Sequence, residues 1–396
     1  MRKFIAEYII PVSARPIKNG ILITDDKGVI IELLPMEELD YALMDAEYCK
    51  GIICPGFVNV HCHLELSYLK DAIQEHGGLD EFVVRLQSIR KAEDSKIVNA
   101  AVDAEHEMKE NGIVAVGDIS NTNHTFALKE SSPLSYHTFV ESFSSDANRA
   151  DRAFEKALKL FNEIAANKNN SRASVTPHAT YSLSPPLFEK VRQFAMEHKS
   201  ILTLHHQESE DENSFFSGAD EKISQRQKKF GVEHSVFYNT GLRPLPSVKD
   251  YLPAGNRMLL VHNTVSGRED IRFAQNNFKE IYWCFCPNSN LYIENKLPDF
   301  AIFIDDHCKI TLGTDSLASN KCLSILEEMK TISRCAPSVH LETLMEWATR
   351  NGAEFLGFDA QLGTLEKGKQ PGINLIKDVD AEALQLLPES NVKRLL

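Results

Sequence analysis

From about residue 55 onward, short β-branched runs alternate with amphipathic helical stretches, and this rhythm leaves few folds open. The runs are Gly56–His63, Ile113–Ile119, Tyr136–Glu141, Ala173–His178, Ile201–His206, Met258–His262, Ile281–Cys286 and Lys309–Asp315. Helical patterning falls on Leu79–Ala92, Lys96–Asn111, Arg149–Asn167, Pro186–His198 and Leu323–Ser333. A strand followed by a helix returns the chain to the same end, so successive strands run parallel. Eight such runs predict an α/β fold, a (β/α)8 TIM-type barrel over residues 55–357.

The two chain ends read differently. Phe4–Val12 is one strand-like run, and Gly20–Thr24 and Val29–Leu34 flank the hairpin-type turn Asp25-Asp26-Lys27-Gly28. Residues 362–369 are turn-rich, and Ile373–Ile376 is a short apolar run that would pair best with the N-terminal strands. The expectation is a small discontinuous β-sandwich domain made of residues 1–54 and 358–396.

With 43% hydrophobic and 25% charged residues, the 396-residue chain can bury a large core. The net charge is −13, and no Lys/Arg run or basic stripe interleaved with aromatics is present. Nucleic-acid and anionic-membrane surfaces need such a footprint, so both are excluded as partners. No window approaches the ~18 apolar residues of a membrane span. The opening MRKFIAE is interrupted by Glu7 and lacks a small-residue cleavage site, so the chain reads as cytoplasmic. Eight cysteines occur without a CxxC pair, which reads as reduced and mostly buried thiols.

Chemistry concentrates at the strand ends. In PGFVNVHCH, strand alternation points His61 and His63 the same way, giving half of a metal site at the catalytic end of a barrel strand. Cys62 between them should point behind the strand. His205 ends the fifth run, with Glu208 three residues on; neighbouring His206 should face the opposite way. His262 ends the sixth run and Asp315 the eighth. Each alone is more often a satisfied polar strand terminus. Their conjunction on one presumed face is what suggests a site.

The segments PGFVNVHCHLELS, GIVAVGDIS, TPHATYSLS, LHHQESEDE, LLVHNT, CPNSN and LGTDSLASN resemble the amidohydrolase superfamily, in its cytosine deaminase, chlorohydrolase and aminofutalosine deaminase branch. The similarity covers nearly the whole chain. It implies that His61, His63, His205 and Asp315 hold one divalent metal ion, zinc by default with iron or manganese as alternatives. Dinuclear relatives carry a carboxylated lysine at the end of the fourth strand; Thr176-Pro177-His178 has none. By the same resemblance Asp315 takes a proton from a metal-activated water, His262 orients it, and Glu208 protonates a ring nitrogen beside the attacked carbon.

The implied reaction is hydrolytic deamination of an aminated heterocycle, such as an aminopurine nucleoside like aminofutalosine. The alternatives are hydrolysis of a cyclic C–N or ring–halogen bond, and, in another class, a non-catalytic small-molecule-binding barrel. Expected substrate contacts are His178 in TPHATYS, Tyr181, Glu65 and Arg149. Relatives usually carry proline where Thr180 stands, and Glu212 reads as decoration on a helix face. The serine and asparagine of CPNSN read as ties for their loop. A small-molecule substrate is the implied partner, together with a homodimer for which no interface is legible.

Overall fold

The computed structural model describes residues 1–35, 45–166, 171–219, 222–229, 231–232 and 235–396. Fourteen strands are found there: β1 (Arg2–Ile9), β2 (Ile17–Thr24), β3 (Ile30–Pro35), β4 (Glu47–Pro55), β5 (Phe57–Cys62), β6 (Ile113–Ser120), β7 (Ser135–Ser142), β8 (Ser171–Pro177), β9 (Leu202–His206), β10 (Arg257–His262), β11 (Glu280–Phe285), β12 (Lys309–Leu312), β13 (Ile373–Asp380) and β14 (Gln385–Arg394).

Strands β5 to β12 fall within a residue or two of the eight expected runs, except that β12 stops at Leu312. They form two four-stranded sheets, ordered β5-β6-β7-β8 and β12-β11-β10-β9. Every neighbouring pair is parallel. All residues of β5, β6 and β9 are buried. Strands covered on both faces lose polar–apolar alternation, which is why they read as continuous apolar runs.

The sheets meet at their edges. Cys62 bridges to Asp315 and Ala179 bridges to His205, both in parallel fashion. At the first seam Thr314 and Asp315 donate their N–H groups to the His61 carbonyl at 3.1 and 3.0 Å. That approach requires glycine at 313, because a Cβ there would lie 2.8 Å from His61 Cβ and 2.9 Å from Cys284 Sγ. At the second seam His205 N–H donates to the His178 carbonyl at 2.9 Å.

Helices form in the expected places: Gly78–Ile89, Asp94–Glu110, Ala150–Ala165, Pro185–His198 and Ile325–Cys335. The expected helix over 149–167 has its last residue outside the described ones. In Ala150–Ala165 the buried residues Ala150, Ala157 and Ile164 recur every seven positions and face β7 and β8. Prolines at the first two positions of Pro185–His198 fix its start, since the first turn needs no N–H partner there.

Strands from both chain ends assemble as expected, but into one six-stranded sheet, β14-β13-β4-β1-β2-β3, rather than the two facing sheets of a sandwich. Only β1 and β4 are parallel neighbours in it. Two of its members escape sequence reading. Glu47–Pro55 opens on polar residues, and Gln385–Arg394 is a mostly exposed edge without alternation. Phe4, Leu22, Ile53, Ile373 and Leu375 form its core. β4 runs through Pro55-Gly56 straight into β5, so this sheet anchors the strand that carries the paired histidines. All eight cysteines are free. Among the described residues no helix is long and apolar enough to cross a membrane.

Candidate metal centre and active site

His61 and His63 stand at the end of β5 with their Nε2 atoms 3.2 Å apart. Asp315 follows β12 in a left-handed turn (φ 57°), which turns its carboxylate back toward them. Its Oδ1 lies 3.3 Å from His63 Nε2 and 3.6 Å from His61 Nε2. Its Oδ2 accepts from the hydroxyls of Ser289 and Ser319 at 2.7 and 2.6 Å. His205, at the end of β9, brings a third imidazole, and one ring nitrogen from each of His61, His63 and His205 falls within a 4.8 Å group. His205 Nδ1 sits 2.8 Å from the His178 carbonyl, an acceptor only, so Nδ1 carries the proton and Nε2 keeps its lone pair.

These residues fit a divalent ion. Two imidazole nitrogens 3.2 Å apart can share either a proton or one metal ion, and the third imidazole and the carboxylate beside them suit the ion. Burial lowers the pKa of His63 to about 3, and it lowers His61 and His205 as well, so all three rings are neutral ligands at pH 7. Burial opposes ionisation of Asp315, but the His61 hydrogen bond and the nearby imidazoles hold it well below the usual carboxylate range. Three nitrogens and one carboxylate oxygen are a donor set zinc accepts with a position to spare.

Two proton-handling groups flank this cluster. His262, also left-handed (φ 75°), has Nδ1 2.9 Å from the Asn290 carbonyl oxygen Oδ1. Its ring lies 5.7 Å from that of His61 and 5.5 Å from that of His205. Glu208 Oε1 lies 3.7 Å from His262 Nε2. Burial raises the Glu208 pKa to about 7, with Asp315 and Glu294 adding to the rise and His262 opposing it. A carboxyl group poised near neutrality can both give and take a proton at working pH. His206 points the other way, its Nδ1 3.1 Å from Asn263 Oδ1.

A cavity of ≈ 970 Å³ opens beside the cluster, and His63, His178, Tyr181 and Arg149 are among its lining residues. His178 stacks near His205, with ring centroids 4.7 Å apart. Arg149 stands at the rim, 62% exposed and paired with Asp146 at 3.1 Å. Glu65, expected to contact substrate, is buried two residues beyond His63. Its carboxylate accepts from the Asn121 and Thr122 N–H groups, the Thr122 hydroxyl and Arg90, at 2.7 to 3.2 Å. Three of these donors fall on Oε2 and only Arg90 on Oε1, so Glu65 pins the loop at Asn121–Thr122 to the segment after His63. Glu212 is corrected too: it is 1% exposed rather than on a helix surface. Ser289, Ser319 and Asn290 hold Asp315 and His262 themselves, a role the sequence reading missed. The signal available was only their position in CPNSN and LGTDSLASN, beyond strand ends.

Parallel strands that present three neutral imidazoles, a carboxylate and a near-neutral glutamic acid at their C-terminal ends define a metal-site hydrolase architecture. The amidohydrolase family model matches residues 52–394, and the chain belongs to that family. Among curated relatives, it is 24% identical over 367 residues to an adenosine deaminase of Helicobacter pylori, covering 89% of this chain and 87% of the relative. It is 28% identical over 338 residues to an aminodeoxyfutalosine deaminase of Nitratiruptor, covering 82% and 79%. Among solved structures, Helicobacter pylori aminofutalosine deaminase in complex with methylthio-coformycin superimposes over the full length of both chains, with a TM-score of 0.84 at 21% identity. The zinc complex of atrazine chlorohydrolase from Arthrobacter aurescens matches 94% of this chain and 86% of its own, with a TM-score of 0.74 at 18% identity.

Proposed function

We propose that this protein is a mononuclear zinc-dependent deaminase that hydrolyses the exocyclic amine of a purine nucleoside or related ring and releases ammonia. The observation that carries the reading is Glu208: a carboxyl group with a pKa near 7, 3.7 Å from His262 and beside a buried three-histidine, one-aspartate cluster. The curated relatives with deaminase names support it. His61, His63, His205 and Asp315 would hold the ion, which when bound supplies a Lewis acid that makes water a usable nucleophile at neutral pH.

The chain's own groups account for the proton traffic. Asp315, fixed by Ser289 and Ser319, accepts a proton from the attacking water. His262, oriented by Asn290, holds that water through Nε2. Glu208 donates a proton to the ring nitrogen beside the reacting carbon, which makes that carbon electrophilic. The adduct's hydroxyl proton passes to Glu208, which has lost its own to the ring, and the amine leaves as ammonia with the proton that Asp315 took from water, so both carboxyl groups return to their starting states. His178, Tyr181 and Arg149 form the wall that a substrate would meet.

The eight parallel strands are assigned to one closed (β/α)8 barrel over residues 55–357, a reading supported by the paired edge bridges and the fold likeness. Residues 1–54 and 358–396 are assigned to the small β unit. The test is ammonia release by metal-analysed protein from aminofutalosine, adenosine, S-adenosylhomocysteine, guanine, cytosine and aminopterins, with chlorotriazines followed for chloride. Ammonia from a purine nucleoside supports the reading. Chloride release alone, or silence with about one metal ion per chain, contradicts it and leaves ring–halogen or cyclic C–N hydrolysis.

A further inference from the structure

The loop after β8 lines the cavity and the loop after β9 carries Glu208, and a single buried carboxyl group, that of Glu212, ties them together. Glu212 accepts a short hydrogen bond from Thr180 Oγ1. The nearby backbone N–H groups of Gln207 and Glu208 also favour its ionised form, against the burial that raises its pKa. Thr180 lies in the turn after β8 that carries His178 and Tyr181, both cavity-lining. Gln207 and Glu208 follow β9, directly after His205 and His206. Thr180 is 0% and Glu212 1% exposed, so water does not compete for these bonds.

The backbone between His205 and Glu208 needs such support. Gln207 sits in the left-handed region (φ 47°), where a non-glycine residue persists only if its surroundings over-determine it. Its side chain is held by Asn213 at 2.8 Å and Ser266 at 2.6 Å, and its carbonyl accepts from Val265 N–H at 3.1 Å. Those contacts fix Gln207 itself. Glu212 follows Glu208 by four residues and joins this segment to the opposite loop through Thr180.

We infer that Glu212 is the positioning residue for Glu208, and that Thr180 is the partner that registers Glu208 against the His178–Tyr181 wall. The inference rests on the reading of Glu208 as the proton-transfer group. Loss of the Thr180 hydroxyl frees one Glu212 oxygen and lets the 207–208 turn drift, so protons move less efficiently while the metal ligands stay in place.

The test uses zinc-loaded wild type, Thr180→Val, Thr180→Ser and Glu212→Gln. Glutamate labelled with 13C at the carboxyl carbon reports the Glu208 titration, assigned with Glu208→Gln. For any nucleoside that wild type deaminates, kcat should fall about tenfold in Thr180→Val and about 10²-fold in Glu212→Gln, the scale of a small misplacement at a reacting centre. KM and zinc content should hold, the Glu208 titration should shift in both variants, and Thr180→Ser should restore it. An unmoved Glu208 titration in Thr180→Val and Glu212→Gln overturns the inference. So does a loss of zinc that parallels the loss of activity. If no nucleoside is turned over, the deaminase reading falls and the titration alone decides the role of Glu212.

Discussion

Replacing Lys129 with methionine should both destabilise the protein and loosen its metal site. Lys129 is fully buried in a helix after β6, with Nζ 2.5 Å from Asp118 Oδ2, 2.9 Å from Ser120 Oγ and 3.2 Å from Thr138 Oγ1. The other Asp118 oxygen accepts the Leu64 N–H at 2.8 Å, at the residue that follows His63. Lys129→Met keeps the aliphatic stem but strands the Asp118 charge at a site with no solvent access. Removing one partner of a buried pair costs about 3–5 kcal/mol. Unfolding entropy scales to about 0.8 kcal/mol per kelvin for a chain of this length, so the melting temperature should drop by about 4–6 °C. Differential scanning fluorimetry reads this directly. Adding Asp118→Asn to Lys129→Met should recover part of the drop, since no unpaired charge remains, and zinc should exchange faster from the single variant than from wild type. A drop under about 1 °C, or a double variant less stable than the single, would refute the reasoning.

Asp315→Asn and His205→Ala should each abolish turnover and lower metal content by elemental analysis; full activity in either would remove that residue from the ligand set. Glu208→Gln should keep the fold and the metal yet lose about 10²–10⁴-fold in kcat, the usual range for a missing proton-transfer group, and wild-type rates would eliminate its role. In metal-free protein, thermal stability should fall between pH 6.5 and 8.5. Burial raises Glu141, Glu212 and Glu328 to about 8 and Glu208 to about 7, against 4.5 for an ordinary glutamate, so the folded chain binds more protons and loses stability as pH rises. The lowered histidines His63, His137, His178 and His206 act with the opposite sign, but only below about pH 6.5, where the unfolded imidazoles charge. A melting temperature that climbs across this window would show that the buried carboxyls are not protonated.

The parallel strands were legible because burial on both faces turns them into apolar runs ended by polar residues. His61 and His63 were legible because alternation alone aligns them. Asp315 was only half so: the expected strand runs through it, whereas β12 ends at Leu312 and a left-handed turn aims the carboxylate. Period-two reasoning cannot foresee such a turn. Contacts that orient the site were the least legible. Ser289, in the helix Pro287–Glu294, and Ser319, in the turn after Asp315, reach Asp315 from different elements, and Asn290 reaches His262 across 28 positions of sequence. Glu212 shows the same limit. Its spacing from Glu208 matches a solvated helix face, and only tertiary packing buries it against Thr180. The single sheet at the chain ends was obscured by β14, whose polar residues carry no alternation.

The central claim is that four residues hold one ion on which deamination depends. The most direct measurement removes metal with a chelator, then follows ammonia release from the nucleoside substrate as zinc is titrated back. The account predicts loss of activity and full recovery at about one zinc per chain, with His61→Ala failing to recover. Ammonia release that survives metal removal, or that returns equally in His61→Ala, would contradict it.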